Sequence, residues 1–524
     1  MQESGETTSG ETEIWREGSL VAYDRVPYGS DPFPQSHPDR AAMIARLLGA
    51  APPDVETARI LELGCASGGN LLPMAEQLPR ATLLGIDGSR KQIEAGEELR
   101  QRAGLDNVEL RHQDIATFED GQPFDYVIAH GVYSWVPPEV QESVLRVIGE
   151  RLSPNGVAYV SYNAYPGWHL LEMLREMMLF AARPFDDPGE KLNRAKEYVA
   201  RIIEAMPADD PLRKLLANEL RNIESDDPRY LLHDHLEQHN APVYFDEFIR
   251  RAARHGLAFL GEAEFSQTDH ENLPEKIRAE LLDFADDPIR AEQHLDFRFS
   301  RTFRQTLLCR SSVQPDRNFD SVDWGRLLIA TDASVDTAPL DVRSPMPVHF
   351  RREETVLRTR DPFVKAVMLL LSEAWPGAIA FSQLAQEAGQ KVGIEQPDET
   401  SDRLARLVRR ALGASIMDVR SSEPRLQAEP SERPRGSALA VAQAKAGPRV
   451  TNLLHAEVEL DQLKRRVLAN CDGKRDRDQI VRQMIELAGL DDAPSPQSRD
   501  VHDQVRARVD DTLEGLARMA LLIE

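Results

Sequence analysis

LELGCASGGN, residues 61–70, decides how this chain is read. The run ARILEL at 58–63 is a strand candidate, small residues follow it, and NLLPMAEQL from Asn70 has a helical apolar pattern that tolerates Pro73 in its first turn. Gly64 and Gly68 allow close backbone approach, and Ala66 preserves much of that space. Gly64, Ala66 and their successors do not complete G-x-G-x-x-G, which counts against a nicotinamide cofactor. A tight structural turn is the competing reading of these glycines.

Outward from this turn the chain alternates. ATLLGID (81–87), VELRHQD (108–114), FDYVIAHGVYSWV (124–136, a strand followed by a loop) and GVAYVSYN (156–163) supply further strands, with RKQIEAGEELRQRA (90–103) and PPEVQESVLRVIGERL (137–152) as helices between them. Such short alternation predicts an α/β fold with a parallel sheet covered on both faces. WHLLEMLREMMLFAA (168–182) presents a buried helical face, and 184–242 reads as mostly helical. FDEFIRRAARHG (245–256) predicts a helix, and LAFLGEAEF (257–265) and RQTLLCR (304–310) predict two more strands. The α/β domain is thus expected over 41–310, with a helical insertion near 184–242.

The flanks divide by composition. Residues 1–40 form an expected arm or lid, because the prolines of LVAYDRVPYGSDPFPQSHPDR (20–40) oppose a helix while its rings can pack. A connecting region is expected at 311–350, with a strand around MPVHFRR, then a helical module at 351–420. Interrupted polar residues make 421–448 a linker candidate, and 449–524 a C-terminal helical domain.

A length of 524 residues suits three or four domains. Lys and Arg total 63 against 87 Asp and Glu, a balance of -24 that argues against a broad nucleic-acid surface. Hydrophobic residues at 41% and charged residues at 29% fit a soluble globular protein rather than a disordered or fibrous one. Cys65, Cys309 and Cys471 are far apart, so neither a disulfide framework nor a thiolate zinc site is suggested and a cytoplasmic location is expected. The polar start MQESGETTSGETEIWREG does not read as a signal peptide, and runs such as VKAVMLLL are too short to span a bilayer.

Three strand ends carry acids. Glu62 can organise the turn and the charged methionine end of a sulfonium cofactor. Asp87 either accepts hydrogen bonds from ribose hydroxyls or caps the next helix. Asp114 either holds an adenine amine, with Ile115 as an apolar ring contact, or caps in the same way. Together they line one rim of the sheet, where open α/β folds bind ligands.

This arrangement resembles the class I S-adenosylmethionine-dependent methyltransferases, a Rossmann-like fold. Glu62, Gly64, Ala66 and Gly68 match the family's acidic residue and glycine-rich turn, Asp87 its ribose acid and Asp114 its adenine-side acid. Ala66 departs from the commoner glycine. A closer resemblance runs through YDRVPYGSDPFPQSHPDR, LELGCASGGNLLPMA, HGVYSWVPPEV, GVAYVSYNAYPGWH, HDHLEQHNAPVYFDEF and FRQTLLCR, in that order, to bacterial methyltransferases carrying a methyltransferase regulatory region. These include the rickettsial outer-membrane-protein lysine methyltransferases. The resemblance implies S-adenosylmethionine as cofactor, S-adenosylhomocysteine as product and several domains. A protein lysine is the implied acceptor, with a small-molecule N- or O-methyltransferase and a noncatalytic cofactor-binding interaction protein as alternatives.

The expected cofactor set is Tyr28, Glu62, Gly64, Cys65, Ala66, Gly68, Gly69, Asn70, Asp87, Asp114, Ile115 and His130. Tyr133, Trp135 and Tyr162, just beyond strands four and five, are the candidates for an acceptor channel, with core packing as the competing role. His130 suits a cofactor contact, acceptor orientation or a structural hydrogen bond. In the arm, Tyr23 and Tyr28 are candidates to close over the cofactor, with Phe33 and His37 near the entrance. His233, His235 and His239 lack a metalloprotease spacing and read more readily as a polar helix face than as metal ligands. Cys65 has no assigned base to make it a nucleophile. Arg403, Arg406, Arg409 and Arg410 form a basic face, read as solvated rather than nucleic-acid binding. A protein substrate is the expected partner, with self-association open.

Overall fold

The computed structural model describes residues 29–225, 236–237, 239–319, 322–335, 340–489 and 496–523. Its centre is a seven-stranded sheet in the order β3-β2-β1-β4-β5-β7-β6. The strands are β1 (Arg59–Leu63), β2 (Thr82–Asp87), β3 (Val108–His112), β4 (Phe124–Ala129), β5 (Leu152–Asn163), β6 (Leu257–Glu262) and β7 (Phe303–Arg310). Strands β1 to β5 pair in parallel, whereas β7 runs antiparallel to both β5 and β6. Because the order reverses between β1 and β4, their carboxyl ends open a crevice at the topological switch point.

Alternation along the strands feeds two cores. Ile60, Leu83, Tyr126 and Tyr159 face the helices Pro38–Leu47 and Leu71–Gln77. Leu61, Leu84, Val127 and Tyr162 face the helices Pro138–Arg151 and Phe245–Ala253. Burial on both faces explains why these strands read as nearly continuous apolar runs.

The helical insertion has its own core, with Val199 of Pro188–Ala205 and Leu216 of Pro211–Ser225 in one cluster. It starts earlier than residue 184: Leu174 and Met178 of the helix Trp168–Ala182 belong to the same cluster. The connecting region is partly absorbed into the module after it, because Leu328–Ala330 pairs with Ile379–Ala380 and Asp418–Arg420. Helices Pro362–Ala374, Phe381–Val392 and Pro397–Gly413 complete that module. Arg403 pairs with Asp361 at 3.0 Å, and Arg409 with Asp269 of the α/β domain at 2.7 Å, so this basic face is partly a docking surface within the chain.

The span 421–448 is not a simple linker. Ala438–Ala446 is a helix with Leu439, Ala440, Ala442 and Ala444 buried. It packs with Gln462–Asn470, Arg477–Leu487, Pro496–Arg518 and the hairpin Arg449–Thr451/Glu457–Glu459 as a C-terminal domain. Glu76 of the α/β domain caps that helix, accepting from Ser437 Oγ at 2.6 Å and Ala438 N at 2.5 Å. Among the described residues, no helix is long and apolar enough to cross a membrane.

Candidate active site

The crevice above β1, β2 and β4 holds a cavity of about 620 Å³, within the usual range for a ligand pocket. Glu62, Gly64, Cys65, Ala66, Asn70, Asp87, Asp114, Ile115 and His130 all line it. Gly64 has φ +73°, and a Cβ there would lie 2.4 Å from Val132, so a side chain would both strain the turn and collide with the wall. Ala66 adopts the left-handed region with φ 48° despite its methyl group. Its N–H donates to Asp87 Oδ2 at 2.9 Å, while Asp87 Oδ1 accepts from Ser89 N at 2.7 Å. Asp87 therefore ties the first turn to the second. Asp114 Oδ1 accepts from Ala116 N at 2.8 Å, so this acid caps a turn and also lines the pocket.

Glu62 is the electrostatic centre of the site. It is 3% exposed, its Oε1 accepts from Asn70 Nδ2 at 2.7 Å, and its buried Oε2 has no hydrogen-bond partner. Burial lifts its pKa to about 7, opposed by the Asn70 bond and reinforced by the charge of Asp87. A buried carboxylate oxygen left over in a pocket fits a cationic or hydrogen-bond-donating ligand. Cys65 is buried and its pKa is raised well above the ordinary value by burial and by the charges of Asp87 and Glu62; it is a thiol packed in the wall, not an activated nucleophile.

His130 closes another side. Its Nδ1 lies 3.0 Å from Tyr159 Oη, and Phe33 of the arm packs on its ring with centroids 3.7 Å apart. Burial lowers its pKa to about 4, so it is neutral near pH 7 and does not repel a cation.

Gly68 and Gly69 support the pocket without lining it. Gly68 has φ +75°, and Gly69 N donates to Ser30 Oγ of the arm at 2.7 Å. The arm residues Gly29, Ser30, Asp31 and Phe33 line the cavity. Tyr23, Tyr28, His233 and His235 lie outside the described residues.

The acceptor trio does not converge. Trp135 lines the pocket with Val132, Val136 and Val140. Tyr133 and Tyr162 are instead buried against Phe248, with ring centroids 5.2 and 4.1 Å away. Tyr162 Oη is 3.0 Å from Thr306 Oγ1, and burial pushes Tyr133 up to about 12. These two tyrosines belong to the core beneath the helix Phe245–Ala253. On β5 it is Tyr159, on the opposite face, whose hydroxyl reaches the His130 side of the site. The sequence reading also missed Gln92 and Thr117 in the lining, which carry no signal apart from their position after strand ends.

Comparison with known proteins places this geometry. Residues 61–158 match a methyltransferase domain, 227–310 a predicted methyltransferase regulatory domain, and 432–521 the C-terminal winged helix domain of PKMT. Uncharacterized protein RP789 of Rickettsia prowazekii is 32% identical over 475 residues, covering 88% of this chain and 85% of that protein. The structure of PKMT2 from Rickettsia typhi in complex with AdoHcy superposes with a TM-score of 0.85 at 29% identity, covering 95% of this chain and all of that one. A trans-aconitate 2-methyltransferase of an Azoarcus species is 25% identical over 193 residues, which is 36% of this chain and 66% of that protein.

Proposed function

Since this chain belongs to the class I S-adenosylmethionine-dependent methyltransferases that resemble the rickettsial PKMT proteins, we propose that it methylates the side-chain nitrogen of lysine in a protein substrate. The observation that carries this reading is the likeness to PKMT2 across nearly the whole chain, insertion and C-terminal domain included. The likeness to a small-molecule enzyme covers only about a third of the chain.

The cofactor supplies a methyl group activated on a sulfonium sulfur. Glu62 would hold its cationic end, Asp87 its ribose and Asp114 with Ile115 its adenine, in the order in which these residues follow along the rim. Asn70 favours the ionised form of Glu62 by donating to it, against the burial that lifts its pKa to about 7, and neutral His130 adds no opposing positive charge. An incoming amine must first shed a proton to water, at a cost of roughly 4 kcal/mol near neutral pH for an ordinary lysine. Trp135, Val132, Val136 and Val140 would then desolvate and align it with the methyl–sulfur bond. A new C–N bond forms as the C–S bond breaks, giving S-adenosylhomocysteine.

Incubating the full chain with isotopically labelled S-adenosylmethionine and a bacterial protein extract, followed by intact-mass and peptide mapping, tests this. Label on lysine Nζ is the expected result. Label confined to metabolites would favour the small-molecule reading, and cofactor binding without any turnover the noncatalytic one.

A further inference from the structure

One cofactor-site contact comes from 385 residues away in the sequence. His455, at the tip of the hairpin Arg449–Thr451/Glu457–Glu459, places Nε2 2.8 Å from Asn70 Oδ1. We propose that His455 is a positioning residue of the cofactor site: its Nε2–H fixes the Asn70 amide in the orientation that donates to Glu62. Cofactor affinity thereby depends on docking of the C-terminal domain. This rests on the reading of Glu62 as a cofactor-holding group.

The surrounding donors and acceptors set the direction of each group. Asn70 Nδ2 is 2.7 Å from Glu62 Oε1, so Oδ1 is the opposite end of the amide; it accepts from Phe33 N at 2.9 Å. The ring nitrogen facing Oδ1 must then carry its proton. Flipping the amide would set its NH₂ against Phe33 N–H, turn an oxygen toward Glu62, and either oppose His455 Nε2–H or drive its proton onto Nδ1, which is buried without a hydrogen-bond partner. His455 thus disfavours the one rearrangement that would silence the Glu62 contact.

The backbone supports a positioning role. His455 has φ +60°, a region that non-glycine residues rarely occupy, and it is 2% exposed. The Asn452 side chain holds this tip by accepting from Leu454 N and Ala456 N, at 3.0 and 2.9 Å. Glu76, six residues after Asn70, caps the Ala438–Ala446 helix, so the two domains also meet beside the amide. Burial holds the ring well below its ordinary pKa, with the nearby His37 adding to the effect, which keeps the imidazole neutral.

The test compares the full chain with His455→Gln and His455→Met, side chains of similar length of which only glutamine can donate. Equilibrium titration with S-adenosylhomocysteine should give His455→Gln within about threefold of wild type and His455→Met weaker by about tenfold, the size expected for one lost buried hydrogen bond. If His455→Met melts markedly earlier, His455→Asn serves in its place, since asparagine tolerates the left-handed backbone but is too short to reach Asn70. In a Glu62→Gln background the loss on removing the donor should shrink to less than about twofold. Equal affinities for the Gln and Met variants, or an undiminished loss in the Glu62→Gln background, would overturn the proposal. Failure of the wild-type chain to bind would instead remove the cofactor reading on which the proposal stands.

Discussion

Asn70 Nδ2 sits 2.7 Å from Oε1 of Glu62, while the second oxygen of that carboxylate is buried without a partner. One half of the group is thus anchored and the other left to a ligand. Its pKa of about 7 is above the ordinary carboxylate value because burial outweighs the Asn70 bond. In the ligand-free protein the folded state therefore holds this proton more tightly than the unfolded chain does. The resulting contribution to stability is fully present below about pH 4.5 and is lost as the pH rises through about 7.

Glu62→Gln should consequently separate stability from binding. At pH 8 the ligand-free variant should be more stable than wild type by about 1–3 kcal/mol, because the cost of ionising a buried carboxyl is gone. Its affinity for S-adenosylmethionine should fall, and the weakening of wild-type binding below about pH 7 should flatten. Urea melts at two pH values and titrations across pH 6–8 check both halves.

Gly69→Ala tests the arm. A Cβ at Gly69 would lie 1.8 Å from Ser30 O, so alanine must push Ser30 away from the turn even though a helix start tolerates it. The expected result is faster release of bound S-adenosylhomocysteine and lost hydrogen-exchange protection at Gly69, with the melting temperature nearly unchanged.

Arg304→Met should destabilise the fold rather than alter cofactor affinity. The buried guanidinium pairs with Glu262 at 2.5 Å, Asp296 at 2.8 Å and Glu292 at 3.0 Å. Burial pushes Glu292 up, but the His270 bond and the Arg304 charge overcome this and hold it down at about 2. Removing the cation leaves buried Glu262 without a counter-charge and Asp296 and Glu292 with only Arg301 and His270 beside them, at a cost of about 3–5 kcal/mol measurable by denaturant melts.

The sheet and its acidic rim were legible because both depend on local pattern. Strands buried on two faces make apolar runs, and Glu62, Asp87 and Asp114 stand at or just beyond the ends of those runs. Tyr133 misled because a position just past a strand does not specify the face, and Tyr162 because it lies inside β5, where alternation turns it to the face opposite Tyr159. The helix that buries them, Phe245–Ala253, arrives more than 80 residues later, after the insertion. The stretch around Ala438–Ala446 looked like a linker because prolines and glycines flank it, yet its alanines are strong helix formers. Nothing local marked His455, since its importance comes from where a distant hairpin lands.

We propose that the rim formed by Glu62, Asp87 and Asp114 holds the adenosyl sulfonium. Isothermal titration of the full chain with S-adenosylhomocysteine, beside Asp87→Asn and Asp114→Asn, is the decisive measurement. One saturable site per chain is expected, weakened at least about tenfold by Asp87→Asn, which removes a charged hydrogen-bond acceptor, and less by Asp114→Asn. Binding that both substitutions leave untouched would place the cofactor away from this rim.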